Sequence, residues 1–305
     1  MELGITMKDM PQKTLIIGGS GLVGRALIEK SEDMGKVYAT YYSTKISFEG
    51  IDIFQLDVRD AKRIDQLFKE IQPDIVLDVA AKRNTRYCEK NPDEAYKVNV
   101  DGTKNIAKAC KNMNAKLVFI SSDQVFDGVK GKYAEQDKVN SLNTYGRQKV
   151  MAEKIIQDNL DNWLILRASH IYGWALEGDD FVSWVVRNLK SGNEIQVSYD
   201  EFVTPIHVKN FVDILIKLLG KEEKGIYHVG EGECLSKHEF AKKIKRILQF
   251  NEAIIKPISS DALSQNVIRP KNNCMDLGKI RSELDISKYS IKNGLEILKR
   301  EMHES

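Results

Sequence analysis

The chain has 305 residues, enough for one large α/β domain or two smaller ones that share a boundary, with a substantial buried core. Its 46 basic and 44 acidic residues leave a net charge of +2, so no charge excess points to nucleic acid or a membrane surface, and a small molecule is the expected partner. No apolar run approaches the roughly 20 residues of a membrane helix, and residues 1–12 lack the apolar centre of a signal peptide, so the expected setting is the cytoplasm.

The first readable stretch is KTLIIGGSGLVGR, residues 13–25. Leu15, Ile16 and Ile17 read as a strand, and Gly18, Gly21 and Gly24 follow at GxxGxxG spacing. A phosphate-binding turn needs glycine three times: to turn tightly off the strand, to let backbone approach a pyrophosphate, and to let the next helix pack on the sheet. An ordinary turn can carry the same glycines. The context favours a nucleotide, because Leu22, Val23, Ala26, Leu27 and Ile28 follow as an apolar helical face. Gly18, Ser20, Gly21, Leu22, Val23 and Gly24 are the expected cofactor contacts on this turn.

A second strand, residues 36–42, ends in Ser43, Thr44 and Lys45 with no carboxylate. A classical NAD site holds the ribose 2′-OH with Asp or Glu here, whereas hydroxyls and a cation suit a 2′-phosphate. NADP(H) is therefore expected over NAD(H), the alternative being a plain polar loop. A third strand, 51–56, leads to Asp57 and Val58, and Asp60 then caps a helix with Ile64, Leu67, Phe68 and Ile71 on one face. Residues 75–79 read as a strand buried on both faces, opening into Ala80, Ala81 and Lys82. One long helix is expected over 92–112, with Asn99 in its middle and Val98, Val100, Ile106 and Ala109 inward. Residues 117–120 form a further buried strand before Ser121, Ser122 and Asp123.

Strands alternating with helices imply an α/β, Rossmann-type, doubly wound parallel sheet whose ligands lie at the carboxyl ends of the strands. Gly18, Asp57, Ala80 and Ser122 all stand at such ends. Tyr145 and Lys149, in YGRQK, are four apart on the next helix and share a face. Alone they could be a surface pair. Beside a strand ending in Ser122 they have a mechanism: Tyr145 delivers a proton to a carbonyl oxygen, Lys149 lowers the phenol pKa from its usual value near 10 and holds the cofactor ribose, and Ser122 bonds the same oxygen. A sixth strand at 163–167 follows.

Beyond it the pattern loosens. Helices are expected at 181–190, 208–219, 236–248 and 291–302, with strand-like segments at 195–197, 226–229 and 254–258. The expected organisation is a cofactor domain at 13–169, with 206–230 packing back onto it, and a smaller substrate lobe from 170–205 and 231–305. Cys88, Cys110, Cys234 and Cys274 lie far apart without CxxC pairing, so reduced thiols are expected, with neither a disulfide framework nor a metal site.

GxxGxxG at Gly18 to Gly24, DVAA at 78–81, Asn99, SSD at 121–123 and YxxxK together resemble an extended short-chain dehydrogenase/reductase. SSDQVFDG at 121–128, CEKNPDEAYKVNVDGT at 88–103 and RPKN at 269–272 are similar to the dTDP-4-dehydrorhamnose reductase group. The resemblance spans residues 13–300. It implies that Ser122, Tyr145 and Lys149 are catalytic, that the glycines, Ala80 and Asn99 line the cofactor side, and that the substrate is a nucleotide-linked 6-deoxy sugar. Expected substrate contacts are Asp123, Gln124, His170 and Arg269, with Lys82 or Arg83 as further cations for its phosphates. The sugar is expected between the edge at 122–127 and the second lobe.

Two positions depart from the group: Gln124 stands where a sugar-contacting Tyr is usual, and His170 where an aromatic residue is common. Gln124 also speaks against dehydration, whose enzymes carry an acid pair here, and Asp123 against epimerase-reductases with a Cys beside the serine. Ketone reduction fits best. The group also contains the regulatory β subunit of methionine adenosyltransferase, so a cofactor-loaded binding subunit remains an alternative, as does a nucleotide-sugar epimerase. A homodimer is left open.

Overall fold

The computed structural model describes residues 13–174, 180–263 and 267–304. Strand β1 (Lys13–Ile17) runs through the glycine turn into α1 (Leu22–Ile28). β2 (Lys36–Tyr41) and β3 (Asp52–Gln55) follow, then α2 (Ala61–Ile71), whose N-cap Asp60 accepts a hydrogen bond from the Arg63 N–H at 3.0 Å. α2 buries Ile64, Leu67, Phe68 and Ile71, each contributing about 1.5–3 kcal/mol of apolar burial. Gln72, in the left-handed region, ends it.

β4 (Ile75–Asp78) leads to two short helices, α3 (Thr85–Lys90) and α4 (Pro92–Tyr96), then a π-helical turn (Lys97–Gly102) and α5 (Thr103–Met113). The single helix expected over 92–112 is therefore interrupted, and α3 has no counterpart among the elements expected from the sequence. Two long-range contacts fall at the π turn. Asn99 turns inward to the backbone of Lys82, and Gly102 lies against Val58, where a Cβ would come within 2.7 Å of Cγ2. Val98, expected inward, is half-buried.

β5 (Lys116–Ser122) and α6 (Thr144–Asn159) carry the next groups of interest, and β6 (Trp163–Ala168) and β7 (Ile171–Tyr172) follow. Then come α7 (Phe181–Lys190), β8 (Ile195–Ser198), β9 (Phe202–Val203), β10 (Ile206–His207), α8 (Val208–Gly220) and β11 (Gly225–Val229). The remainder is β12 (Leu235–Ser236), α9 (Lys237–Leu248), β13 (Ile255–Ile258), α10 (Gly278–Glu283) and α11 (Ile291–Glu304). α9 starts with a full capping box between Ser236 and Glu239.

The main sheet has seven strands in the order β11-β6-β5-β4-β1-β2-β3. Its β1–β2, β2–β3, β1–β4 and β4–β5 pairs are parallel. The order reverses between β1 and β4, which is where a doubly wound sheet opens its ligand crevice. The α/β Rossmann expectation is met.

Within the described residues the chain forms two compact units. One comprises the described residues of 13–121, 143–166 and 212–227; the other comprises those of 122–142, 167–211 and 228–304. The first has its core under the sheet, from Leu15 and Ile17 through Phe68, Ile106 and Phe119 to Ile156. The second is centred on Tyr172, Val185, Phe240, Ile244 and Leu295.

One expectation is overturned in the second unit: Cys234 and Cys274 form a disulfide, with Cα atoms 5.5 Å apart. Tertiary neighbours bring them together. β12, directly after Cys234, pairs antiparallel with β9, while Phe202 of β9 also bonds the segment before Cys274, donating to Lys271 O and accepting from Asn273 N–H. Cys88 and Cys110 are free and buried.

Candidate active site

The glycine turn of the first unit is shaped by close approach. Gly18 has φ +98°, and a Cβ there would lie 3.0 Å from the Ala80 nitrogen, while one on Gly24 would lie 2.3 Å from Gly18 O. Gly21 differs. Its Cβ would meet nothing nearer than Gly18 O at 3.5 Å, and its φ is −77°. The space beside Gly21 is open, which leaves room for a pyrophosphate to approach the backbone there. The residues present thus fit a dinucleotide. The turn is anchored to β2, with Gly18 N–H donating to Thr40 Oγ1 at 3.2 Å and Gly19 N–H to Thr40 O at 2.6 Å.

At the end of β2, Ser43, Thr44 and Lys45 are exposed. After β3, the Arg59 guanidinium bonds both Asp57 oxygens, holding that carboxyl below its usual range, and Asn105 of α5 donates to Val58 O at 3.1 Å. Arg59 was not singled out in the sequence, where RD after DV looks like a helix approach.

Ala80 and Ala81 are half-buried beyond β4. Lys82 is fixed by backbone: its N–H donates to Asn99 Oδ1 at 2.8 Å, its carbonyl accepts from Asn99 Nδ2 at 3.1 Å, and Nδ2 also donates to Gln148 Oε1 at 2.8 Å. The Lys82 ammonium lies 3.9 Å from Glu94 and 5.0 Å from the Tyr87 ring. Such exposed pairs are worth under about 1 kcal/mol, so it is readily redirected. Arg83 is exposed.

α6 is capped by Asn143, whose side chain accepts from the Gly146 N–H at 3.0 Å. That fixes the first turn and with it Tyr145 and Lys149, both buried. The Lys149 ammonium donates to Ile120 O at 2.7 Å, 4.2 Å above the Phe119 ring and 5.9 Å from the Tyr145 ring. Burial pushes its pKa down to about 8, opposed by Asp78, Glu153 and Cys88. Asp78, which pairs in register with Phe119, is pushed up to about 6 by burial, and its Oδ2 lacks a hydrogen-bond partner among the described residues. At neutral pH Lys149 is mostly charged, and a positive charge beside a phenol stabilises the phenolate left by proton donation.

The second unit holds the expected substrate residues. Ser122, the last residue of β5, donates to Asp123 Oδ1 at 3.1 Å and accepts from Gln124 N–H at 3.2 Å. Asp123 also accepts from Ser169 Oγ at 2.7 Å, and its carbonyl accepts from Asn273 Nδ2 at 2.9 Å; burial raises its pKa. His170 adopts φ +45° and is pushed down to about 3, first by burial and then by the Lys237 and Arg269 cations, so it is neutral. Asp123, His170 and Arg269 thus share one neighbourhood with Lys237, a buried lysine 3.2 Å from Glu201. Lys237 was missed because the first residue after an N-cap Ser reads as surface.

Comparison with known proteins agrees with the resemblance carried by these motifs. The RmlD substrate binding domain model matches residues 12–303. Agl14 of Haloferax volcanii, a probable low-salt glycan biosynthesis reductase, is 28% identical over 288 residues, 93% of this chain and 96% of its own. Methionine adenosyltransferase 2 subunit beta of Bos taurus is 27% identical over 280 residues, 89% of this chain and 82% of its own. The structure of dTDP-4-dehydrorhamnose reductase from Bacillus anthracis in complex with NADP is 29% identical with a TM-score of 0.85, covering 96% of this chain and 100% of that one. With the glycine turn, the YxxxK helix and the sheet order in agreement, the chain belongs to the RmlD substrate binding domain family.

Proposed function

We propose that the protein reduces the 4-keto group of a nucleotide-linked 6-deoxy sugar, using NADPH in preference to NADH. The observation that carries this reading is the seating of Lys149 on Ile120 O, in the strand that ends at Ser122, with Tyr145 one turn before it on α6. When bound, the cofactor supplies the hydride. Tyr145 supplies the proton to the carbonyl oxygen, Ser122 donates a hydrogen bond to the same oxygen, and hydride plus proton convert ketone to alcohol. Lys149 stabilises the Tyr145 phenolate and bonds the ribose. The single Ser122 hydroxyl proton, directed to Asp123 Oδ1 before substrate binds, turns to the substrate oxygen when it arrives, while Asp123 stays held by Ser169, and Arg269 with Lys237 offers positive charge to the substrate's phosphates. A cytoplasmic setting accompanies this reading.

The experiment is NADPH oxidation by the purified protein over a panel of 4-keto sugar nucleotides, with Tyr145→Phe as control. Turnover abolished by that substitution supports it. The likeness to a methionine adenosyltransferase regulatory subunit favours a second reading, a cofactor-loaded binding subunit. No oxidation across the panel, with co-purification of a catalytic partner, would establish that one instead.

A further inference from the structure

Ser43, Thr44 and Lys45 are the residues expected to choose between NADPH and NADH, yet Lys45 is exposed and makes no ion pair or hydrogen bond among the described residues. A different cation at the same edge is held in place. Arg59 Nε donates to Asp57 Oδ1 at 2.9 Å and Oδ2 at 3.0 Å, and Nη2 donates to Asp57 Oδ2 at 2.6 Å and to the Tyr42 hydroxyl at 2.9 Å. The guanidinium carbon sits 5.6 Å from the Tyr42 ring. Tyr42 directly follows β2, the strand whose Thr40 anchors the glycine turn, and Asp57 follows β3.

Three strand-end features thus converge: the phosphate turn after β1, an aromatic after β2 and a carboxylate after β3, with Arg59 joining the last two. An ordinary surface arginine loses side-chain entropy when it grips a phosphate, at roughly 2 kcal/mol of rotamer freedom. Arg59 has already lost it to Asp57 and Tyr42. Nε and Nη2 are spent on these partners, while the two N–H groups of Nη1 have none among the described residues. A fixed guanidinium with an unspent pair of donors is suited to a phosphate. Asp57 sets the geometry and also limits the gain, since its charge opposes that of the phosphate.

We propose that Arg59, fixed by Asp57 and Tyr42, is the residue that recognises the 2′-phosphate of the cofactor and that Lys45 is not. This rests on the dinucleotide reading of the glycine turn and deepens it. The test is direct titration, without turnover, of NADPH, NADH and 2′,5′-ADP against wild type, Arg59→Gln, Arg59→Lys and Lys45→Gln. Arg59→Gln is expected to weaken NADPH and 2′,5′-ADP by about 10- to 100-fold, the worth of one or two charged hydrogen bonds, with NADH changed by less than about twofold. Arg59→Lys, which keeps the charge and loses the fork, should fall between. Lys45→Gln should leave the ratio of NADPH to NADH affinity unaltered. Equal losses for both cofactors in Arg59→Gln would make Arg59 structural and overturn the proposal, as would loss of discrimination in Lys45→Gln alone. A wild type that binds both cofactors equally overturns this inference and leaves the reductase reading standing, whereas one that binds neither overturns both.

Discussion

The Lys149 ammonium donates to the carbonyl oxygen of Ile120 at 2.7 Å, tying the helix that carries Tyr145 to the strand that ends at Ser122. Lys149 therefore has a backbone anchor before any ligand arrives, and its ring-side position over Phe119 keeps it from water. Replacing Tyr145 by Phe removes only a hydroxyl, so kcat should fall by about 100-fold or more while NADPH affinity is nearly unchanged. Lys149→Met should instead lower both, because the same group serves ribose and phenol. Steady-state kinetics together with cofactor titration separate the two outcomes.

Asp78 makes stability depend on pH. Its folded pKa, about 6, lies above the ordinary carboxylate value because burial disfavours the charged form. The native state therefore binds the extra proton, and this group's contribution is fully present below pH 4 and lost as pH rises through 6. Asp78→Asn should flatten that fall, by an amount on the order of 2 kcal/mol. Denaturant unfolding at pH 4, 5, 6 and 7 measures it; identical slopes in mutant and wild type would count against the assignment.

The glycines of the turn should part company on substitution. A Cβ at Gly24 runs into Gly18 O at 2.3 Å, so Gly24→Ala should destabilise the fold by several kcal/mol. Gly21→Ala, with nothing nearer than 3.5 Å, should fold with an unaltered Tm and bind NADPH poorly. Thermal melts beside cofactor titration decide it.

The Cys234–Cys274 bridge closes a loop 40 residues in sequence separation. Chain-entropy arithmetic for that length gives about 4 kcal/mol at 25 °C. Cys234→Ser, or a thiol reductant, should lower the unfolding midpoint accordingly, while the seven-stranded sheet keeps its far-UV signature. An unchanged midpoint would mean the bridge adds nothing beyond the hydrogen bonds already around residues 271–276.

By itself the sequence determined what depends on neighbours along the chain. Asp60 and the Ile64, Leu67, Phe68 and Ile71 stripe specify α2, Phe181 to Lys190 carries the period of α7, and GxxGxxG between a strand and an apolar helix marks the phosphate turn, because caps, periods and glycine conformations act within a few residues. Tertiary structure alone decided the rest. At the π turn Gly102 meets Val58 and Asn99 reaches Lys82; Arg59 acquires its place from Tyr42, just past the end of β2; Cys234 finds Cys274 through their common neighbour β9. Each of these is a contact between segments 17 or more residues apart. Strand order sets such contacts, and no local pattern of residues encodes which strands become neighbours.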